Sequence, residues 1–189
     1  MVQENTYQEL KTFFVEGQFH TQDILEMTEN PELIPDLMTL ALSNDEPAGW
    51  RAAWALSHAM KHSIDWVIPY LPEIAAALPK IRKDGHIREL LKFFRDVKLE
   101  QIPEELHGEL FDYCFTIFEN NNVQPGTRSN ALQILLKIAE KEPILIGEIK
   151  TVFEMISPFL SKGIRYSCQR RINQILQQTI NEHKNEIQC

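Results

Sequence analysis

Residues 42–56 read LSNDEPAGWRAAWAL, a polar turn followed by an alanine-rich segment. Alanine is the strongest helix former, and Ala48, Ala52 and Ala55 recur at the three- and four-residue spacing of one helical face. A face of small residues lets a helix approach its neighbour closely. This stretch therefore predicts a turn and a helix that packs tightly into the core of a helical protein.

The rest of the 189-residue chain also predicts helices. Long alternating runs rich in Val, Ile and Thr are absent, and no Asn-Gly or Asp-Gly hairpin joins two such runs. Pro69 and Pro72 predict a kink or a shortening in the first turns of one helix. The expected class is all-α, with helices at 4–16, 21–29, 31–43, 46–62, 65–79, 84–98, 103–120, 126–141, 145–160 and 163–181.

One short pattern, a glycine followed closely by an arginine, opens four of these helices. It occurs as Gly49-Trp50-Arg51, Gly85-His86-Ile87-Arg88, Gly126-Thr127-Arg128 and Gly163-Ile164-Arg165, with 37, 40 and 37 residues between successive arginines. A period of this length is typical of a pair of helices. One helix pair cannot cover its own apolar face, so such pairs stack and share a core.

The turn and second helix at 42–56 resemble those of HEAT repeats, including the short bacterial variety. The likeness is best in this first unit and extends over 31–181 by periodicity. The resemblance implies a right-handed α-α superhelix, or solenoid, of about four HEAT-like helix pairs. It further implies a single repeat domain over 1–189, with an N-terminal helical cap at 1–30 and a tail at 182–189.

Charge is distributed unevenly along this pattern, although the whole chain carries a net charge of −8. The second helix of each pair, with its entry, covers 46–62, 82–99, 125–142 and 162–180. These windows hold 15 of the 19 basic residues and 6 of the 27 acidic ones, a net charge of +9, whereas the rest of the chain carries −17. In the HEAT family the second helices line the concave side, so the resemblance implies a basic inner face. The alternative is that these charges are solvated or form ion pairs within the chain.

The leading functional hypothesis is a non-enzymatic interaction or scaffold module that binds an acidic protein segment, or another anionic partner, on this face. Trp50 and Trp54 share a helical face with Ser57 and Lys61, where they form a stacking or cation-binding platform unless they pack against the next second helix. The predicted partner-binding residues are Trp50, Arg51, Trp54, Lys61, Arg88, Lys92, Arg95, Arg128, Arg165, Arg170 and Arg171.

DNA binding is the alternative. The chain is similar in fold and face charge to the alkylpurine DNA glycosylases, which are built from HEAT-like repeats and use tryptophans beside a carboxylate. Asp45, near Trp50, would be the matching carboxylate here. The chain departs from that family by being short and net acidic, which argues against a nucleic-acid partner. A lyase-like or chaperone-like accessory to another protein's cofactor, as in some short bacterial HEAT proteins, is a third alternative.

Motifs for enzyme chemistry are missing from the sequence. No P-loop, glycine-rich dinucleotide turn or nucleophile elbow is present. His58 and His62, with Asp65 following, have the spacing of a metal-binding pair, but Ala59 stands where HExxH has its glutamate. We therefore predict no catalytic residue, no metal and no cofactor.

Cysteine usage and hydropathy predict a cytoplasmic protein. Cys114, Cys168 and Cys189 lack a paired CxxC spacing, which predicts free thiols, with those on apolar helices buried. The stretch 66–78 is too short to cross a bilayer and is interrupted by prolines. The first residues lack the basic and apolar regions of a secretory signal.

Overall fold

Helices are the regular elements of the computed structural model, which describes residues 2–17, 22–23, 26, 30, 32–61 and 63–187, with side chains from residue 6 to residue 180 within these ranges. No strand occurs in those ranges. This confirms the all-α class. The chain divides into two compact units, Met1–Pro103 and Glu104–Cys189. No helix of the described residues has both the length and the apolar character needed to cross a membrane.

The first unit contains five α-helices among its described residues. They are α1 (Val2–Glu16), α2 (Ile34–Ala41), α3 (Ala48–Ala59), α4 (Leu71–Ala77) and α5 (Asp84–Asp96). The helices α2 and α3 form an antiparallel pair across the turn at 42–47, α1 packs against both, and α3 packs against α5. The alanine face of α3 is buried as predicted, with Ala48 and Ala52 fully inside. Small side chains there allow the close approach of α2 and α5.

Proline interrupts the helix predicted at 65–79. Residues Asp65–Tyr70 form a 3-10 helix with Pro69 inside it, and the α-helical part, α4, begins only at Leu71, with Pro72 in its first turn. Proline has no backbone N–H to donate, so it is tolerated in the first turn of an α-helix but not further along. The predicted shortening at Pro69 and Pro72 is thereby confirmed.

The second unit contains four α-helices in its described part. They are α6 (His107–Glu119), α7 (Pro125–Lys141), α8 (Ile146–Ile156) and α9 (Lys162–Ile187), with short 3-10 turns at Glu104–Leu106, Pro143–Leu145 and Ser157–Phe159. The helices α6 and α7 pack closely along their lengths, and α9 packs against α7 and α8. The core is aliphatic and aromatic, and it includes Phe118, Ile134, Leu135, Ile149 and Ile172.

A buried histidine and a glycine join the helices of the first unit. His86 is fully buried, and its Nε2 donates to the carbonyl oxygen of Ala41 at 2.7 Å while its Nδ1 lies 3.0 Å from Oε1 of Glu46. Gly49 lies next to this contact. A Cβ at position 49 would be 2.7 Å from the carbonyl oxygen of Ser43. This close backbone approach requires glycine at position 49 and fixes the start of α3 against the end of α2.

The two described cysteines are free and buried. Burial raises the pKa of the Cys114 thiol well above its usual range, and it raises the pKa of Cys168 to about 11 although Arg171 acts in the opposite direction. Both thiols therefore stay protonated at neutral pH, which suits packing rather than nucleophilic chemistry. This confirms the expectation for Cys114 and Cys168, whereas Cys189 lies outside the described residues.

The helix predicted at 21–29 falls largely outside the described residues. The single domain over 1–189 and the right-handed sense of the solenoid both stay predictions.

Candidate interaction surface

The two tryptophans of α3 are half-buried, and they are held in different ways. The Trp50 indole packs toward α5, where its Nε1 lies 3.7 Å from the position that a Cβ at Gly85 would take. This Nε1 is buried and has no hydrogen-bond partner among the described residues. Trp54 contacts a residue of its own helix, since its ring lies against His58 with centroids 4.4 Å apart. Nδ1 of His58 donates to the Trp54 carbonyl oxygen at 2.9 Å. Packing against the next second helix therefore accounts for Trp50, and both rings keep a partly exposed surface.

The centre of the surface formed by α3 and α5 is a buried carboxylate. Glu89 is only 1% exposed, and its Oε2 accepts a hydrogen bond from the Ser57 hydroxyl at 3.1 Å. The same carboxylate pairs with Lys92 and with Arg88, whose Nε lies 3.2 Å from Oε1. The Arg88 and Lys92 side chains are 39% and 22% exposed. Two cations thus surround one anion, and the cluster keeps a single positive charge that reaches solvent.

The other predicted basic residues of this unit differ in their surroundings. NH1 of Arg51 donates to the Phe14 carbonyl oxygen at 2.5 Å, so this side chain caps the C-terminus of α1. Such a cation at a helix C-terminus satisfies orphan carbonyls and is favoured by the helix dipole. Arg95 forms a bidentate pair with Asp96, at 2.6 and 2.7 Å. Lys61 follows α3 and is exposed.

Arg128 is the predicted contact that the structure places farthest from solvent. Its side chain is 4% exposed, and its Nε donates to the Phe118 carbonyl oxygen at 2.9 Å, at the end of α6. Desolvation lowers the pKa of this guanidinium, and the Nη2 atom is buried with no hydrogen-bond partner among the described residues. The prediction that Arg128 contacts a partner is therefore wrong, because the α6–α7 pairing buries the entry to α7.

The basic residues of α9 are the most accessible of the predicted set. Arg170 is exposed and Arg165 is half-buried, and within the described part of the chain neither forms an ion pair. Arg171 reaches back to α7, where its Nε lies 2.5 Å from Oε1 of Glu140. Between Lys162 and Ile180 this helix carries four basic residues and no acidic one.

A groove of about 560 Å³ runs between the end of α7 and α9. Its floor is the buried Ile175, and its sides are Glu140 and three glutamines of α9, namely Gln174, Gln177 and Gln178. These residues were not predicted from the sequence, because glutamine on a helix is common on solvated faces. Their repetition at 174, 177 and 178, within a stretch free of acidic residues, was the available signal.

Glu89 and Ser57 were also missed as members of the surface. The sequence signal for Glu89 was its position, three residues after His86 and four before Phe93, on the apolar stripe of α5. A charged residue on such a stripe is buried only when it is paired. Ser57 was expected to face outward with Lys61, and it is instead 3% exposed because it donates to Glu89.

The residues proposed for metal binding or DNA chemistry have packing contacts. His58 lies against Trp54, His62 lies outside the described residues, and over the described ranges no group of three or more His, Cys, Asp and Glu could hold a metal ion. Oδ2 of Asp45 accepts from Lys11 at 2.8 Å and from Tyr7 at 3.2 Å. The Lys11 contact lowers the pKa of Asp45, so this carboxylate joins α1 to the turn before α3.

Comparison with known proteins identifies the family. No curated protein and no solved structure matches the chain significantly. The sequence pattern of the HEAT repeat domain matches residues 9–178, which is most of the chain. Neighbouring helices pack as pairs, as stacked HEAT units require. The chain therefore belongs to the HEAT repeat family.

Proposed function

We propose that this protein is a non-enzymatic interaction module that binds an acidic segment of a partner protein through its basic second helices. HEAT repeats in general mediate protein interactions or act as scaffolds. The observation that carries the proposal is the separation of charge between helices. The helix α6 has three acidic residues and no Lys or Arg, whereas α9 has four basic residues and no acidic one from Lys162 to Ile180.

The second helix of the last pair offers the strongest site for an anionic partner. Arg165 and Arg170 lie on α9 with no ion pair among the described residues, so a partner carboxylate would not have to displace an internal one. An arginine guanidinium presents a planar fork of donors that matches a carboxylate. These two residues are therefore the main contacts in the proposal.

The first unit supplies a second, weaker cationic site. Glu89 neutralises one of the two charges of Arg88 and Lys92, and it also holds both side chains in place. The exposed part of Arg88 lies on the same pair of packed helices as the tryptophans of α3. A partner with both acidic and aromatic or aliphatic residues would suit this surface. Arg51 and Arg95 contribute less, because each already has an internal acceptor.

The proposal is tested with a fluorescently labelled peptide of about 20 residues, rich in glutamate, whose binding is followed by anisotropy at several salt concentrations. Arg165→Glu with Arg170→Glu should weaken binding about tenfold or more, because each change removes an attraction and adds a repulsion. The matched control is Lys80→Glu with Lys150→Glu, which changes the net charge equally on the first-helix side. Its effect should stay within about twofold.

A 20-base-pair duplex is the second probe, since a surface that binds DNA loses affinity steeply as salt is raised. Tighter binding of the duplex than of the acidic peptide would replace the proposal with the DNA-binding alternative. Equal losses in the α9 variant and in the control would show that net charge alone acts, and the proposed site would be wrong. If the wild-type protein bound neither probe, the function proposed here would be refuted.

A further inference from the structure

The groove between α7 and α9 is lined by the side chains of primary amides. Gln174, Gln177 and Gln178 form its sides, and Ile175, 1% exposed, forms its floor. The amides of Gln174 and Gln178 each offer two N–H donors and one carbonyl acceptor. That combination is complementary to a peptide bond, which presents one donor and one acceptor.

The spacing of these amides matches an extended chain. Gln174 and Gln178 are four residues apart on a helix, which separates them by about 6 Å along the axis. In an extended chain, alternate residues are about 6.6–6.8 Å apart. Amides at 174 and 178 can therefore reach successive peptide groups on the same edge of an extended segment. A helical partner would not use them, because its backbone groups are already paired within the helix.

Charge next to the groove favours an acidic occupant. Arg170 lies one turn before Gln174 and is exposed, and Arg171 lies at the rim, where it pairs with Glu140. Among the described residues of the lining, Glu140 is the only carboxylate, and it pairs with Arg171, whereas Arg170 forms no ion pair in this part of the chain. The helix has no acidic residue between Lys162 and Ile180, and Glu182 follows one turn after Gln178.

From this geometry we infer that the α7–α9 groove binds an acidic peptide in extended conformation. Gln174 and Gln178 hydrogen-bond the peptide backbone, and Arg170 pairs with an acidic side chain. This inference rests on the proposed function and names the site and the conformation of the bound segment. It makes the backbone of the partner, and not only its charge, part of what is recognised.

The test uses two labelled 12-residue peptides of alternating glutamate and serine, one with a normal backbone and one N-methylated at every residue. Both carry the same charge, but the second lacks backbone donors on both of its edges. The normal peptide should bind about tenfold more tightly, which corresponds to the loss of one or two hydrogen bonds. Gln174→Ala with Gln178→Ala should remove this preference, whereas Gln8→Ala, an exposed glutamine on α1, should leave it unchanged.

The possible outcomes separate this inference from the proposed function. Equal binding of the two peptides by the wild-type protein would overturn the inference while leaving a charge-based interaction in place. A preference that persists in the Gln174→Ala, Gln178→Ala variant would also overturn it, because the backbone would then be read elsewhere. Binding of neither peptide would refute the proposed function itself. Circular dichroism of each variant checks that α9 remains helical.

Discussion

Removal of the Glu89 carboxylate is expected to lower the free energy of unfolding by about 1–3 kcal/mol. In Glu89→Ala, Arg88 and Lys92 lose their common counterion, and the Ser57 hydroxyl keeps only the Trp54 carbonyl oxygen, at 2.9 Å, as an acceptor. The cost is moderate because Arg88 and Lys92 are 39% and 22% exposed and regain part of their hydration when the carboxylate is lost. With a total stability of roughly 5–15 kcal/mol, the loss is still measurable. The melting temperature should fall by about 2–12 °C.

Urea unfolding followed by far-UV circular dichroism measures this loss. Glu89→Gln keeps the volume and one acceptor oxygen but removes the charge, so we expect an effect between those of wild type and Glu89→Ala. Glu73→Ala is the matched control, because Glu73 is exposed on α4, and it should stay within about 0.5 kcal/mol of wild type. If Glu89→Ala were as stable as this control, with an unchanged denaturant slope, the buried ion pairs would not be what holds α5 on α3.

For three further experiments, local contacts determine the direction of the expected effect. Gly49→Ala should destabilise by about 1–3 kcal/mol in urea because its Cβ meets backbone oxygen, whereas Gly85→Ala, with nothing nearer than 3.7 Å, should be neutral or slightly stabilising. The hydrogen bond from Lys11 lowers the pKa of Asp45 in the folded state, so this contact stabilises the fold above about pH 4, and its contribution is lost as the pH falls further. When the free energy of unfolding is measured against pH, Lys11→Met should therefore show a smaller decrease at acid pH than the wild-type protein. In a Cys114→Ala, Cys189→Ser background, the only remaining thiol is Cys168, whose pKa burial raises to about 11. It should react with a thiol reagent far more slowly at pH 8 than after unfolding, and fast native labelling would contradict its burial.

Local sequence pattern predicted most of the described helices and the family. The helix predicted at 126–141 is α7, Pro125–Lys141, and the one predicted at 84–98 is α5, Asp84–Asp96. These helices are predictable because their signals lie within a few residues of one another. The signals are the apolar spacing, a proline in the first turn and a polar cluster at the end. The sequence understated α9, predicted at 163–181, which extends to Ile187 in a polar segment with little apolar periodicity.

The sequence alone determined the all-α class, the period of the repeat and the separation of charge between first and second helices, because each depends on residue type and spacing. Tertiary structure decided which charges reach solvent. Arg128 and Arg170 look alike in the sequence, yet the first is buried against the end of α6 and the second is exposed. The burial of Glu89 beneath Arg88 likewise depends on how α3 packs on α5. Exposure is a property of neighbouring helices far apart along the chain, and no local pattern contains it.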